Sequence, residues 1–382
     1  MKFCKKCLYP DTKPMLDFNS FGICSACTNF ESKEKIDWSK RKEELKTILE
    51  KYKSIDSSNY DCIIPISGGK DSHYQTYVLK EEFGLNPLVV NFHPHDFTDV
   101  GRKNIENLKK IGVDCIEFSA DPTVYNKLSR FGLRELGDYE WPEHLGIFTV
   151  PVQIAVRYKI PLIIWGENTA LEYGGSKENS EMKFIDRDYE NTSAANYFQD
   201  KITAKDMTKH GFELKDLKPY LFPSREEIES VGVKEIWLGS FLKWDIFKQM
   251  EIVKKLGFNL FPEKREGTYD NWENLDTKFT VFHDYFKWLK YGFGRATDHV
   301  SIEIRYGRLT REEGLERVKQ SEGKIPTKYL SEFLDEAELT FEEFLKICDK
   351  FIDKNLFVKD GNGDLIRDKN GNLSKIKYDN EG

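Results

Sequence analysis

A short apolar segment that runs directly into a pair of glycines constrains the fold of this chain more than any other feature. Cys62–Ile66 has the length and composition of a buried strand, and a helix is expected to begin just after the loop that follows it. Glycine lets the backbone direct several N–H groups at one point, and a helix N-terminus adds the positive end of its dipole. The sequence therefore predicts an anion-binding loop with a mobile positive charge, formed by Ser67, Gly68, Gly69, Lys70, Asp71 and Ser72.

The spacing of this loop separates two classes of nucleotide-binding protein. Kinases and GTPases use Gly-x-x-x-x-Gly-Lys-Ser/Thr, which the chain lacks here. Ser-Gly-Gly-Lys-Asp-Ser resembles instead the pyrophosphate loop of the ATP pyrophosphatases, which cleave ATP between the α- and β-phosphates and adenylate a substrate oxygen. That resemblance implies ATP as the bound nucleotide. A solvated turn before a helix is the alternative.

Apolar segments alternate with helical patterns after the loop. Strands are predicted at 62–66, 87–92, 113–118 and 160–165, with helices at 72–83 and 102–111 and a further apolar segment at 153–158. This order is typical of an α/β fold with a doubly wound parallel sheet, whose sites lie at the carboxyl ends of the strands. The residues expected to join the loop there and to bind ATP are Asn91, His93, Gly166 and Glu167. A zinc site at His93 and His95 is a weaker alternative.

Four of the seven cysteines form two pairs near the N-terminus. The pattern is Cys-x₂-Cys-x₁₆-Cys-x₂-Cys, made by Cys4, Cys7, Cys24 and Cys27. This spacing is typical of a tetrahedral structural Zn²⁺ site that folds its segment and does no chemistry. An iron–sulfur cluster and a reactive dithiol remain alternatives. The odd cysteine total and the lack of a secretory signal favour a reducing cytoplasm.

Composition and charge limit the remaining classes. The chain has 382 residues, 39% hydrophobic and 32% charged, with a formal net charge of −7, which argues against a large nucleic-acid surface. We find no apolar run near the ~20 residues that span a bilayer. We divide the chain into a zinc knuckle (1–35), a linker helix (36–56), a pyrophosphate-loop domain (57–250), a helical substrate-binding region (251–358) and a polar tail (359–382). The long polar segment 173–210 is interpreted as a mobile lid or a plain insertion.

Several blocks together resemble the N-acetyl sugar amidotransferase family. They are the cysteine knuckle, the pyrophosphate loop and the segments that start at Trp237, Thr277 and Gly292, the last reading Gly-Phe-Gly-Arg-Ala-Thr-Asp-His299 and continuing to Arg305-Tyr-Gly-Arg308. Members convert an acetamido group of a bacterial surface sugar into an acetamidino group, in lipopolysaccharide or flagellin glycosylation. The resemblance implies ATP, Mg²⁺, structural Zn²⁺ and an N-acetylated sugar.

The same resemblance suggests roles for individual residues. Lys70 and Asp71 would act on the phosphates, Asp71 also as a Mg²⁺ ligand, while Asp298 and His299 would act where ammonia attacks. We expect Lys70 to contact phosphate and to fill no core, so that its replacement leaves the fold intact. The residues expected to bind the sugar are Trp244, Asp245, Arg295, Arg305 and Arg308. A surface helix laced with ion pairs is the alternative for the arginines, and core packing is the alternative for Trp244.

The sequence encodes no recognisable glutaminase. An N-terminal nucleophile requires Cys, Ser or Thr after Met1, where this chain has Lys2, and Cys62, Cys115 and Cys348 lack the sharp elbow of a triad enzyme. We therefore expect a separate glutaminase subunit. A cyclase-like subunit that channels ammonia is a second candidate partner. The competing functions are a tRNA thiolation enzyme and a non-catalytic nucleotide-binding protein. The first normally needs a sulfur-carrying cysteine, a second cysteine pair or a carrier protein, together with a basic surface.

Overall fold

The fold is organised around a parallel sheet of five strands. In the computed structural model, which describes residues 1–185 and 202–375, the strands lie in the order β3-β2-β1-β4-β5. Each neighbouring pair is parallel. The strands are β1 Cys62–Ile66, β2 Pro87–Phe92, β3 Asp114–Phe118, β4 Leu162–Trp165 and β5 Lys234–Trp237. The chain winds from β1 outward to both edges, so the predicted doubly wound α/β fold is confirmed.

Helices connect the strands and form the C-terminal part of the chain. Those before β5 are α1 Ser25–Lys33, α2 Trp38–Tyr52, α3 Lys70–Tyr77, α4 Asp99–Lys109, α5 Pro122–Phe131, α6 Trp141–Tyr158, α7 Thr169–Tyr173, α8 Lys177–Glu181 and α9 Arg225–Val231. Those after it are α10 Ile246–Lys255, α11 Thr280–Tyr291, α12 Arg295–Arg305, α13 Arg311–Ser321, α14 Leu330–Ala337 and α15 Phe341–Phe351. Wider turns of π type extend α3 and α5.

Both faces of the sheet are covered by a hydrophobic core. Successive side chains of a strand point to opposite faces, so one strand contributes to both cores. Ile63 packs in the core that contains Leu145 of α6, whereas Ile64 packs in the core that contains Leu45 of α2 and Leu108 of α4. Burial on both faces explains why the strands are continuously apolar.

The C-terminal helices and the cysteine segment lie beside the sheet. A third core joins α11, α14 and α15, in which the rings of Phe282 and Phe333 stack with centroids 3.9 Å apart. The cysteine segment packs against Phe293, and the Tyr9 hydroxyl donates to Asp298 Oδ1 at 2.8 Å. The predicted C-terminal helical region is therefore present, and it contacts the N-terminal knuckle.

The elements agree with the sequence prediction in most places. The bounds of β1 and β2 are as predicted. Three helices begin with a capping box, in which Ser224, Thr310 or Thr340 pairs with a glutamate three residues later. The apolar segment 153–158 is the end of α6. Strand β5 was missed because it has only four residues, two of them charged. Among the described residues, no helix is both long and apolar enough to cross a membrane.

Candidate active site

The glycine loop closes over the beginning of α3. Gly68 has φ +92°, a backbone conformation that a residue with a side chain adopts only under strain, and an added Cβ would lie 3.0 Å from Ile105. Gly69 is the N-cap of α3, and the Ser67 N–H donates to Ser72 Oγ at 3.0 Å. The loop therefore folds back onto a helix N-terminus, which is the arrangement that binds anions.

The predicted strand-end residues meet this loop at the carboxyl edge of the sheet. Asn91 is buried and donates from Nδ2 to Ile66 O at 2.8 Å, so it holds β2 against the start of the loop. His93 stacks on Phe97 with ring centroids 4.9 Å apart and contacts Arg102. His95 packs on Tyr125, with centroids 4.3 Å apart, so each of the two histidines lies against its own aromatic ring.

On the other side of the loop lies the turn that follows β4. Burial, together with the charge of Asp71, raises the pKa of Glu167 to about 7. The buried Oδ1 of Asp71 has no hydrogen-bond partner among the described residues, while its Oδ2 accepts from Lys70 Nζ at 2.9 Å. A buried carboxyl group with a raised pKa and a second carboxylate with a free oxygen, both at this loop, are groups that a divalent cation could join.

Trp244 and Asp245 lie beneath this turn. The Trp244 ring is 2% exposed, in the core under Gly166, so it offers no open face to a sugar. Asp245 caps α10, and both its carboxylate oxygens accept from Arg308 Nη2 at 2.9 Å. Trp244 therefore packs in the core, which was the alternative interpretation of this residue.

A buried network ties Lys70 to α12. Lys70 is 7% exposed and contacts both Asp71 and Glu273, whose charges outweigh the cost of burial and raise the pKa of Lys70. The other Glu273 oxygen lies 3.4 Å from Nε2 of His299, and Nδ1 of His299 lies 3.1 Å from Asp270 Oδ2. Trp272 stacks on His299, with ring centroids 5.6 Å apart. The phosphate loop and the predicted proton-transfer histidine therefore belong to one site.

Sequence reasoning missed the members of this network that come from the irregular segment 268–278. Asp270 and Glu273 lie there, as does Asp276, whose carboxylate accepts from the Ser67 hydroxyl and whose pKa is raised by burial. The segment lies close against α4, since a Cβ on Gly101 would be 2.7 Å from the Asp276 Cα. It has no hydrophobic period, and its only signal is an acidic residue at every third position.

The remaining predicted residues of α12, which are Asp298, Arg295 and Arg305, contact different parts of the chain. Asp298 accepts from Tyr9 and from Lys287. Arg295 lies 3.3 Å from Asn274 Oδ1, and Arg305 donates from Nη2 to Glu172 O at 2.7 Å. Every residue of α12 from Ala296 to Glu303 is buried, so α12 is not a surface helix. Of the two helices, only α13 fits the alternative of a surface helix with ion pairs. The roles predicted for these residues stay predictions.

His299 makes protein stability depend on pH. Burial opposes its imidazolium form, but the charges of Glu273 and Asp270 outweigh burial and raise the pKa of His299 to about 9. Its contribution is complete below the usual histidine pKa of about 6.5 and is lost as the pH rises through about 9. We expect the free energy of unfolding to fall by about 3 kcal/mol over that range, at about 1.4 kcal/mol per pKa unit.

Urea unfolding of the wild type and of His299→Gln between about pH 6 and pH 9 measures this effect. The free energy of unfolding should fall less steeply in the variant than in the wild type, by the contribution of His299, whereas His210→Gln, at an exposed histidine, should match the wild type. Equal slopes in the wild type and in His299→Gln would show that His299 is not the titrating group.

The four paired cysteines converge as predicted. All four sulfurs lie within 4.8 Å of one another, with Cys4 and Cys27 at 3.8 Å and Cys7 and Cys24 at 3.6 Å. Four thiolates about 2.3 Å from one Zn²⁺ at tetrahedral corners are about 3.8 Å apart, so this set fits the ion. The backbone N–H of Cys24 also points at Cys4 Sγ, at 3.3 Å, and supports a thiolate there. The cluster could hold structural zinc.

The first residues of the predicted lid lie beside the turn after β4. Of 173–210, residues 186–201 lie outside the described residues, as do 376–382 of the predicted tail. Asn168 lies in the turn after β4, and its Nδ2 is 3.2 Å from Met182 O and 3.1 Å from Ser240 Oγ. The segment 169–182 is therefore held against the turn. Whether 173–210 closes over the site stays a prediction.

Comparisons with known proteins add evidence for part of the chain. Residues 266–368 match the sequence profile described as LPS biosynthesis protein WbpG-like, C-terminal domain. Uncharacterized protein MJ1599 of Methanocaldococcus jannaschii is 36% identical over 88 residues, which is 23% of this chain and 31% of that protein. The chain thus matches about a third of the length of that curated relative. A solved NMN synthetase from Francisella tularensis aligns over 80% of this chain and 98% of its own, with 11% identity and a TM-score of 0.32.

Proposed function

We propose that the chain is an ATP-dependent amidotransferase that converts the acetamido group of a bacterial surface sugar into an acetamidino group. The observation that carries the proposal is the contact of Lys70 with Glu273, and of Glu273 with His299. It joins a phosphate loop to residues 266–368, the part that matches the lipopolysaccharide-biosynthesis profile. A site built from both parts suits an enzyme that uses ATP to modify a sugar.

The reaction requires that an amide oxygen become a leaving group. Attack of the acetamido oxygen on the α-phosphate of ATP would give an imidate ester of AMP and release pyrophosphate. Ammonia would then add to the imidate carbon, and AMP would leave with the former amide oxygen. The sugar thereby exchanges one oxygen for NH, and ATP ends as AMP and pyrophosphate.

The loop residues would bind and stabilise the pyrophosphate. The N–H groups around Gly68 and Gly69 and the positive end of α3 favour negative charge, and Lys70 would exchange part of its contact with Glu273 for a phosphate oxygen. Asp71 and Glu167 are the groups that would hold Mg²⁺, which would neutralise charge on the phosphates. Removal of the proton from Glu167, whose pKa is raised to about 7, would accompany metal binding.

His299 would serve as the acid of the second step. Its raised pKa of about 9 means that it carries a proton on both ring nitrogens near neutral pH, with Asp270 fixing the orientation of the ring. A protonated imidazole can donate a proton to the departing AMP, and its neutral form can then accept one from the nitrogen that has added to the imidate carbon. Asp298 would act indirectly, because its carboxylate is held by Tyr9 and Lys287.

Ammonia is proposed to come from a partner glutaminase. Four cysteines belong to the metal-type cluster, and Cys62 and Cys348 are fully buried. Burial raises the pKa of Cys115 to about 11, so its reactive thiolate is scarce near neutral pH. The same property weakens the tRNA thiolation alternative in the form in which a cysteine of this chain carries the sulfur.

Products formed with different acceptors test the proposed function. The full chain, ATP, Mg²⁺ and ammonium should release AMP and pyrophosphate in equal amounts with an N-acetylated surface sugar, and the sugar should lose one dalton as oxygen is replaced by NH. Release that depends on tRNA instead would establish the thiolation alternative. ATP binding without turnover on any acceptor would favour a nucleotide-binding protein.

The zinc proposal for the cysteine cluster gives a separate prediction. Serine is a poor ligand for Zn²⁺ in a thiolate site, so Cys24→Ser should lose the cysteine-bound ion and much of its soluble yield, since such sites contribute directly to folding. Metal analysis after thiol modification measures that ion. Cys115→Ser, outside the cluster, should keep it. Iron with visible absorbance in the purified protein would instead establish a cluster of the iron–sulfur type.

A further inference from the structure

A second group of metal-type ligands lies between the sheet and the C-terminal helices. Asp138 precedes α6, His144 lies in the first turn of α6, and His283 lies in the first turn of α11. Nδ1 of His144 is 3.0 Å from Asp138 Oδ2, and Nδ1 of His283 is 3.0 Å from Asp138 Oδ1. The three ligand atoms all lie within 4.8 Å of one another. Sequence patterns gave no sign of the group, because His283 is 145 residues from Asp138 in the chain.

We propose that Asp138, His144 and His283 bind a divalent transition-metal ion, with Zn²⁺ as the preferred ion. Two ligands that are each about 2.1 Å from an ion are about 3.0 Å apart at right angles and about 3.4 Å apart at a tetrahedral angle, so the 3.0 Å separations on both sides of the carboxylate need only a small outward shift to admit Zn²⁺. Two imidazoles and one carboxylate suit Zn²⁺, Mn²⁺ or Fe²⁺ better than Mg²⁺, which prefers oxygen ligands.

The charge around the group favours a cation. Glu140 is 5% exposed and accepts from the hydroxyls of Thr277 and Thr280, and the neighbouring Asp96 accepts from the Phe279 N–H at 2.7 Å. Within residues 1–185 and 202–375, neither carboxylate forms an ion pair with a lysine or an arginine. Asp138 itself has histidines as its only ion-pair partners there. Buried carboxylates are costly without positive charge, and a bound ion would supply it.

The position of the group indicates what the ion would do. Asp138 and His144 are 2% and 18% exposed, and His283 is 12% exposed, so the site is nearly closed. It joins the start of α6, which covers the sheet, to the start of α11, which lies in the part that matches the WbpG-like profile. The ion would fix the segment 268–278, and with it Glu273, relative to the sheet. The ion would hold these two parts of the chain together, and this structural role does not depend on the proposed reaction.

Asparagine variants separate this proposal from a purely hydrogen-bonded network. The amide nitrogen of asparagine takes nearly the position of a histidine Nδ1 and donates to Asp138, but it does not bind a metal. The purified full-length wild type should contain two transition-metal ions per chain, of which thiol modification releases one. His283→Asn and His144→Asn should each contain only the thiol-bound ion, with a lower melting temperature that added Zn²⁺ does not restore.

Mn²⁺ gives a readout that does not depend on how the protein was purified. Thiolates bind Mn²⁺ weakly, so the chelator-treated chain is given one equivalent of Zn²⁺ for the thiolates and excess Mg²⁺ for the oxygen ligands before it is titrated with Mn²⁺. Electron paramagnetic resonance should then show one Mn²⁺ site in the wild type that is lost in His283→Asn. Cys24→Ser should retain it if folded. A wild type with one ion, wholly released by thiol modification, and no Mn²⁺ site would overturn the proposal. So would equal Mn²⁺ binding in the wild type and His283→Asn.

Discussion

Replacing Lys70 with methionine should lower the rate of pyrophosphate release by at least about a hundredfold. The lysine supplies positive charge at the position where charge develops on the departing pyrophosphate, in a site that is largely closed to water. Removal of one such group commonly costs two to three orders of magnitude in turnover, or about 3–4 kcal/mol. A coupled pyrophosphate assay measures the effect, and Lys103→Met, at an exposed lysine on α4, should behave as the wild type.

The structure corrects one part of the sequence-based expectation for this variant. Lys70 was expected to leave the fold intact on removal, but it is buried and neutralises Glu273. Loss of the lysine leaves the buried Glu273 carboxylate with His299 as its remaining ion-pair partner, which should cost about 3 kcal/mol of stability. The double variant Lys70→Met/Glu273→Gln removes the excess buried charge and should recover much of that stability without recovering turnover. Near wild-type turnover in either variant would refute the assignment of the loop.

The isolated chain should form amidine with high ammonium and should fail with glutamine alone. No cysteine among the described residues combines exposure, a lowered pKa and a sharp turn, so the chain cannot release ammonia from glutamine by this account. The difference between the two nitrogen sources should be at least about a hundredfold, because a whole catalytic step is missing. Product formation by mass spectrometry measures it, and a glutaminase partner should restore the use of glutamine.

The pH dependence of the ammonium reaction gives an internal control. Ammonia attacks as the neutral base, so turnover at fixed ammonium should rise with pH as ammonium is deprotonated. Deprotonation of His299 near pH 9 opposes this rise if the imidazolium is required, and the profile should then bend there. Channelled ammonia from a partner should give a flatter profile. Use of glutamine by the purified chain without a partner would refute the two-protein proposal.

Elements formed by residues that are close together in the chain could be predicted from the sequence. Strand β1 and the glycines after it are adjacent in the chain, and the capping boxes at Thr310 and Thr340 involve residues three apart. Strand β5 could not be found this way, since its buried Glu235 is made acceptable by the Trp165 indole N–H, which donates to it at 2.7 Å from β4. Such a partner is visible only once the sheet exists.

The candidate site was predictable only at its two ends. Lys70 belongs to a recognisable loop and His299 to a recognisable block, but Glu273, which contacts both, is 203 residues from Lys70 and lies in a segment without regular structure. For the arginines, the residue type suggested a contact with substrate where the structure has a contact within the chain. Arg308 has a bidentate group suited to an anionic substrate, yet Asp245 of the same chain occupies it. Sequence alone does not tell an internal partner from an external one.

Transfer of the amide oxygen is the most direct test of the account. A candidate sugar labelled with ¹⁸O in its acetamido carbonyl should be incubated with the chain, ATP, Mg²⁺ and ammonium, and the nucleotide product analysed by mass spectrometry. The account predicts AMP that carries the label in its phosphate group, in an amount equal to the amidine formed. Unlabelled AMP, or ADP and inorganic phosphate in place of AMP and pyrophosphate, would contradict adenylation of the sugar and with it the proposed function.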